Sequence, residues 1–409
     1  MGARLADLAL ALRNVRRNRR RSATALFIIL AGVVSLVLAE GFIQWVFWAM
    51  RESTIHFQSG HVQVVRPNYF AKGVADPLAY LLPENSAVPA AIEATPGVKL
   101  VAPRIKAAGL ISHGETTVAF LAEGVVPSKE ADLSLALKIV EGRNLADPLA
   151  AEVILGRGLA HTLGVKPGDT VALLATPGGG GIGAIEATVA GIFVSTSQAY
   201  DNAALRLPLS QAQALLRAQG AHVWIVLLQE TTRTDEFVAR FRSRFGAERL
   251  EFVPWHAQAD FYNKTVALLS QQINVLRAII GAIIVLSILN ILTMNVLERT
   301  GEIGTMLAVG FRRRKILQMF ATEGLVLGLV GASLGAGIGY GLAELISHIG
   351  IPMPPPPGMD EGYTGEILVT GTLLLTAFLL GFVTTLLAGL YPAWKASRQE
   401  IVNALRHNI

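Results

Sequence analysis

Over residues 316–346 the chain runs with few charges through an apolar, glycine-laden stretch. Three arginines and a lysine (Arg312, Arg313, Arg314, Lys315) stand directly before it. The run exceeds the about 20 residues a helix needs to cross a hydrocarbon core about 30 Å thick. In lipid, every backbone polar group must be satisfied within the segment, so a helix is the structure such a run can adopt. The basic cluster predicts that this end stays in the cytoplasm. Three more apolar segments, near 22–50, 258–296 and 366–390, predict four spans in all. The composition agrees: 52% hydrophobic and 16% charged residues is too apolar for an ordinary soluble chain.

Charge placement orients the spans. Residues 1–21 carry Arg4, Arg13, Arg16, Arg17, Arg19, Arg20 and Arg21, and residues 3–18 place Leu5, Leu8, Leu12 and Val15 at helical spacing. A basic amphipathic helix on the cytoplasmic surface is expected there. The first span, residues 22–50, continues through Phe42, Val46, Phe47 and Trp48. That is longer than the core of a cleaved signal peptide, so an uncleaved anchor is expected. Glu40, late in this span, is expected at the outer interface or beyond it. The second span returns inward, the third outward and the fourth inward, with both termini cytoplasmic. The external loop 348–364 is proline-rich, IPMPPPPGMDEGY in its centre, and reads as a stiff connector. Its 351–363 stretch has no Lys or Arg, as an outer loop should. The formal charge of +5 clusters beside apolar segments, which reads as topology and not as a nucleic-acid footprint. With no cysteine, disulfide, thiolate-zinc and iron–sulfur chemistry are excluded.

Residues 51–259 read as an α/β extracytoplasmic domain inserted between the first and second spans. Strands are expected at 60–65 and 99–103, with a helix at 88–94 between them. A second set follows: a strand at 222–228, a helix at 234–245 and a strand at 250–253. These two halves, 51–106 and 197–259, flank a β-rich centre at 107–196. The second span with its stalk, 260–297, would be on the order of 60 Å long if helical throughout, twice the hydrocarbon thickness. The excess, with Lys264, Gln271, Gln272 and Arg277, is expected to stand outside the membrane. A similar extension is expected on the first span near 44–55. Such stalks could pass a displacement from one side of the membrane to the other.

Glu302, Ile303, Gly304, Leu307, Gly310, the basic run, and Glu323-Gly324 followed by further glycines resemble the signature of FtsX/MacB-type (type VII) ABC transporter permeases. The ending YPAWKASRQEIVNALR and the piece EVILGRGLAHTLGVKPGDTVALLA are similar to the same family. Among its members, the lipoprotein-releasing (LolC/LolE-like) permeases share the four-span plan without a fused ATPase. The resemblance implies porter-like halves around a sabre-like centre, and a dimer with a second copy or a related permease. It also implies two copies of a separate ABC ATPase, which would use ATP and Mg while this chain holds no cofactor. Lipoprotein extraction from the bacterial inner membrane is the function it suggests. MacB-like efflux of small molecules or peptides with an adaptor, and an FtsX-like signalling scaffold activating a periplasmic hydrolase, are the alternatives.

The resemblance places an ATPase-coupling helix within 298–315. Glu302 and Arg312, Arg313 and Arg314 would make rim contacts. Ile303, Met306 and Leu307 would insert, with Gly304 and Gly310 completing the motif. Read from charge alone, the same stretch is a basic loop obeying the topology rule. In the third span, 316–347, Gly324, Gly328, Gly331, Gly335 and Gly339 recur in small steps, with Gly337 and Gly341 as another pair. Glycine lets two backbones approach, so helix packing within the subunit or across a dimer is expected. Gly331-Ala332-Ser333-Leu334-Gly335 matches G-x-S-x-G but lacks the strand–turn–helix context of a nucleophile elbow. The glycines at 178–181 have no following Gly-Lys-Ser/Thr and read as a hairpin tip, shorter than the hook that recruits a periplasmic carrier in lipoprotein-releasing relatives. The sequence holds no Walker A motif, so it is expected not to be an enzyme. The eight histidines show no metal-ligand spacing. Glu323 is expected to snorkel or to pair with a nearby base such as Lys315. The fourth span is assigned to 365–392 and a cytoplasmic tail to 393–409.

Overall fold

The computed structural model describes residues 19–73, 76–84, 86–135, 137–195, 197–355 and 362–398. The amphipathic helix expected over 3–18, the centre of the proline-rich loop and the tail beyond 398 lie outside these residues. The chain forms two compact units. One draws on the chain up to Trp48, on Thr265–Met353 and on the chain from Thr364 onward. The other comprises Ala49–Lys264 and Pro354–Tyr363.

Helix α1 (Arg19–Thr54) is followed in the second unit by β1 (Val62–Val65), α2 (Val88–Glu93), β2 (Val98–His113) and β3 (Thr116–Val125). Then come α3 (Pro127–Leu133), β4 (Lys138–Gly142), β5 (Glu152–Gly156), α4 (Arg157–Leu163), β6 (Thr170–Ala175) and β7 (Gly183–Val194). The unit closes with β8 (Ala204–Pro208), α5 (Leu209–Leu216), β9 (Val223–Leu228), α6 (Thr234–Phe245) and β10 (Glu251–Pro254). Its main strand path runs β10-β1-β9-β2-β3-β8-β5-β7-β4, with β6 joined to β2 and β7. β9, VWIVLL, is buried along its whole length. Apolar cores cover both its faces: Trp224, Val226 and Leu228 face one, and Val223, Ile225 and Leu227 the other.

The sixteen-residue β2 is far longer than the strand expected at 99–103. Its first part, from Val98 to Arg104, pairs with β9, and from Ile105 onward it pairs with β3. The flanking halves and the β-rich centre therefore share one strand. The boundary at 197 also shifts. β8 pairs with β3 and β5, and Leu205, Leu207, Ala212, Leu215 and Leu216 enter the core of the centre. Residues 204–216 thus pack with the centre and not with the flanking half. The glycines at 178–181 join β6 to β7, whose last pair is Ala175 with Gly183. Gly180 and Gly181 both take positive φ.

The first unit gathers helices α7 (Asp260–Glu298), α8 (Thr300–Ala308), α9 (Arg313–Ile349) and α10 (Gly371–Ser397) around the span part of α1. Four of these helices, all but α8, are long and apolar enough to cross a membrane. At 39 residues, α7 is about 58 Å long, nearly twice the about 30 Å thickness of a hydrocarbon core. Side-chain contacts give the helix directions. Arg21 pairs with Glu298, and Glu40 with Arg277, so α1 and α7 are antiparallel. On each helix these two pairs stand about 30 Å apart at 1.5 Å per residue, close to the hydrocarbon thickness. Glu40 is buried by this partner. A carboxylate at that depth is tolerated because a guanidinium neutralises it.

The glycine row of α9 packs inside the subunit. A Cβ on Gly331 would lie 3.0 Å from Ile29, one on Gly335 2.8 Å from Val33, and one on Gly339 3.1 Å from Val37. Both helices advance four residues per contact, so α1 and α9 run parallel. Nearer its start the row turns to α10: Gly324 faces Gly389 and Gly328 faces Thr385. Gly337 and Gly341 meet nothing within 4 Å. Gly335→Leu is therefore expected to cost about 1–3 kcal/mol by overpacking, and Gly337→Leu to be neutral. Thermal unfolding of the detergent-purified chain checks this: equal midpoints for the two variants would show that the α1–α9 contact is loose.

Candidate coupling site

Helix α7 passes into α8 through a single residue, Arg299. The hydrogen-bond ladder continues across it, from Arg299 N–H to the Asn295 carbonyl (3.3 Å) and from Ile303 N–H to the Arg299 carbonyl (2.9 Å). α8 ends as abruptly as it begins. Gly310 N–H donates to the Leu307 carbonyl (3.1 Å) and Phe311 N–H to the Met306 carbonyl (3.0 Å), with Gly310 at φ 101°. These two bonds around a left-handed glycine make a Schellman cap. Gly310 is thus required by the backbone, since a Cβ in that conformation costs roughly 1–2 kcal/mol. Arg312 then leads into α9 in extended conformation.

The faces of α8 differ from the sequence expectation. Ile303 is 0% exposed, packed with Val296, Ile316, Phe320, Ala393 and Ala396. Gly304 is buried beside it, and Met306 and Leu307 are half-buried against the same core. Ile303 therefore holds α8 to α7, α9 and α10 and is not free to insert elsewhere. The free apolar groups are Val309, 74% exposed, and Phe311, 48% exposed. Both lie past the last regular turn of α8, where helical periodicity no longer assigns a face. Glu302 projects from α8 with its carboxylate 2.9 Å from Arg299 Nε.

Arg312, Arg313 and Arg314 are exposed beside these groups. Cations at the start of a helix oppose its dipole, at about 0.3–1 kcal/mol each. Their placement directly before a span fits the positive-inside rule, whose gain in orientation offsets that cost. Glu323 does not snorkel. It is buried in α9, accepting from Asn295 Nδ2 at 2.8 Å, with Arg299 Nη1 at 3.9 Å. The site is thus an exposed tip, Val309–Phe311 with its arginines, on a short helix clamped to three long ones.

The model of the MacB-like periplasmic core domain matches residues 22–244, more than half of the chain. That of the FtsX-like permease C-terminal domain matches residues 274–401. The chain belongs to the FtsX/MacB-type ABC transporter permeases. Among curated relatives, the macrolide export ATP-binding/permease protein MacB of Rhodospirillum rubrum is 32% identical over 189 residues, covering 44% of this chain and 26% of the relative. The uncharacterized ABC transporter permease YvrN of Bacillus subtilis is 36% identical over 120 residues, covering 29% of this chain and 26% of the relative. The chain thus spans about a quarter of the length of these relatives. The solved periplasmic region of MacB from Actinobacillus actinomycetemcomitans aligns at 13% identity and a TM-score of 0.37, covering 53% of this chain and 95% of that one.

As an FtsX/MacB-type permease, the chain is a multi-pass membrane protein with a periplasmic α/β domain between its first and second spans. The family implies an ATPase partner. Both matched regions are permease regions, whereas MacB relatives carry the ATP-binding function in the same chain by name.

Proposed function

We propose that this permease converts ATP hydrolysis by a separate ATPase, two copies per permease dimer, into movement of its periplasmic domain. It does so from the bacterial inner membrane, with both termini and α8 in the cytoplasm. The dimer pairs it with a second copy or a related permease, and ATP and Mg are handled by the ATPase. The observation that carries this reading is the exposed tip at Val309 and Phe311 at the end of α8, a helix joined through one residue to the unbroken 39-residue α7. A push on the tip is delivered along a rod about 58 Å long. Lipoproteins drawn from the outer leaflet of the inner membrane are the proposed cargo. Small-molecule efflux is the second reading, favoured by the macrolide export name of the MacB relatives.

The coupling test uses the free tip. Val309→Asp with Phe311→Asp is expected to lose at least about tenfold in ATPase affinity, the order expected when two buried apolar anchors become charges. Neither side chain belongs to the buried core, so folding is expected to be unchanged. Capture of the ATPase at wild-type level by the double variant would remove α8 as its dock. Glu302 and Gly310 are poorer probes, because reversing Glu302 sets two cations together and any side chain at Gly310 strains the cap. Acylated protein copurifying with the nanodisc-embedded permease supports the lipoprotein cargo; a small molecule alone supports efflux.

A further inference from the structure

Arg299 is buried (8% exposed) at the bend between α7 and α8, where it sits between two carboxylates on different helices. Its Nε lies 2.9 Å from Glu302 on α8, and its Nη1 3.9 Å from Glu323 on α9. The first is a hydrogen-bonded ion pair; the second is within charge-pairing range but beyond a hydrogen bond. The guanidinium also lies over the Phe320 ring, 5.5 Å from its centroid. Asn295, one turn back on α7, holds the other oxygen of Glu323. Three helices thus converge on one planar cation.

A buried carboxylate in a span is costly unless neutralised, and Glu323 is only 2% exposed. Charge balance alone would be met by any cation. The geometry asks for more, because one group must reach two carboxylates in different directions while standing over an aromatic ring. A guanidinium does this with its rigid fork of donors, whereas an ammonium is a point charge on a flexible stem.

We propose that Arg299 is a positioning residue that locks the coupling helix to the third span, so that α8 and the first turns of α9 move as one piece. The inference rests on the coupling reading of α8 for its purpose. A displacement of α8 carries Glu302, Glu302 carries Arg299, and Arg299 carries Glu323. The thrust then enters the bundle through α9 as well as along α7. Through the glycine row, α9 bears closely on α1, so the first span also receives it.

The chain's lack of cysteine makes the test direct. Thr305→Cys on α8 and Gln318→Cys on α9, both exposed positions, are spin-labelled in the full chain in nanodiscs without ATPase. The distance distribution between the labels is then measured. The parent is expected to give a single narrow population. Arg299→Lys keeps the charge and the fold but is expected to lose that single population, and a distribution identical to the parent would reduce Arg299 to charge balance and overturn the proposal. Should Arg299→Lys fail to assemble, the pair Arg299→Met with Glu323→Gln removes both buried charges. It is expected to show the same loss, and a narrow distribution there would equally overturn the lock. No ATPase enters this measurement, so its failure is separate from failure of the docking test.

Discussion

Glu130→Ala destabilises the periplasmic domain by about 3–5 kcal/mol, the expected result of stripping a carboxylate from a buried ionic cluster. Arg104 of β2, Glu123 of β3, Glu130 of α3 and Arg206 of β8 are all buried. Glu130 accepts from Arg104 Nη2 at 2.9 Å and from Arg206 Nη1 at 3.0 Å. Glu123 lies 3.4 Å from Arg104 Nη1 and 3.1 Å from Arg206 Nη2. Burial would raise the Glu123 pKa, but the Arg104 and Arg206 charges outweigh it and hold it below the ordinary value. Two cations and two anions balance; removing Glu130 leaves two guanidiniums to share one carboxylate. The cluster stands where β2 leaves β9 for β3, with Glu123 and Arg206 directly paired across strands. Urea unfolding of the full chain, followed by the fluorescence of the buried Trp224 and Trp255, measures the cost. Replacing all four residues by Met and Leu together is expected to come out near neutral. A loss below about 1 kcal/mol for Glu130→Ala would show the cluster to be water-screened, as surface pairs are.

Acidification from about pH 7.5 to about pH 5 is expected to weaken the same domain by roughly 4 kcal/mol, through two histidines. His61 and His222 are buried, and burial pushes each pKa down to about 4. Nearby charge adds to this: Lys106 lowers His222 further, while Glu52 partly offsets the effect of burial at His61 and His56 and Arg51 reinforce it. Each ring accepts a backbone N–H at Nδ1, from Leu228 at 3.1 Å and from Lys106 at 2.9 Å. A proton on Nδ1 would break that bond, so the folded state holds both rings neutral. The unfolded chain takes up its protons near pH 6.5 and the folded chain only near pH 4. Between those values the unfolded state binds more protons, so stability falls as pH falls across that window. From about pH 4.5 downward, protonation adds a further loss through Glu123, because its lowered pKa contributes stability only while the carboxylate is charged. The measurement is the urea midpoint against pH. Gln at both positions is expected to flatten the slope between about pH 6.5 and 4, and an unchanged slope would assign it to other groups.

Much of the architecture was legible beforehand because it rests on local quantities. The strands at 60–65 and 222–228 and the helix at 234–245 follow from short apolar periods bounded by turn residues. The boundary expected at 197 differs from the observed packing for the opposite reason. β8 and α5 look like any strand and amphipathic helix, and only pairing with β3 and β5 assigns them to the centre. The short helix α8 was legible as a motif, but which of its side chains are covered was not. Ile303 and Val309 are equally apolar in sequence, and one is covered by α9 and α10 while the other is bare.

The sequence by itself determined that four helices are apolar enough to span a membrane, that a large α/β domain separates the first two, and that a short basic-flanked helix precedes the third. These rest on transfer free energies and charge placement that add along the chain, one residue at a time. Tertiary structure alone decided that the glycines of α9 meet Ile29, Val33 and Val37, that Glu40 finds Arg277, and that Arg299 joins Glu302 to Glu323. The reason is physical. The face a helix shows to its neighbours is set by side chains on other helices, some of them hundreds of residues away in the chain, and the desolvation cost of a buried charge is offset only by the partner that packing brings to it.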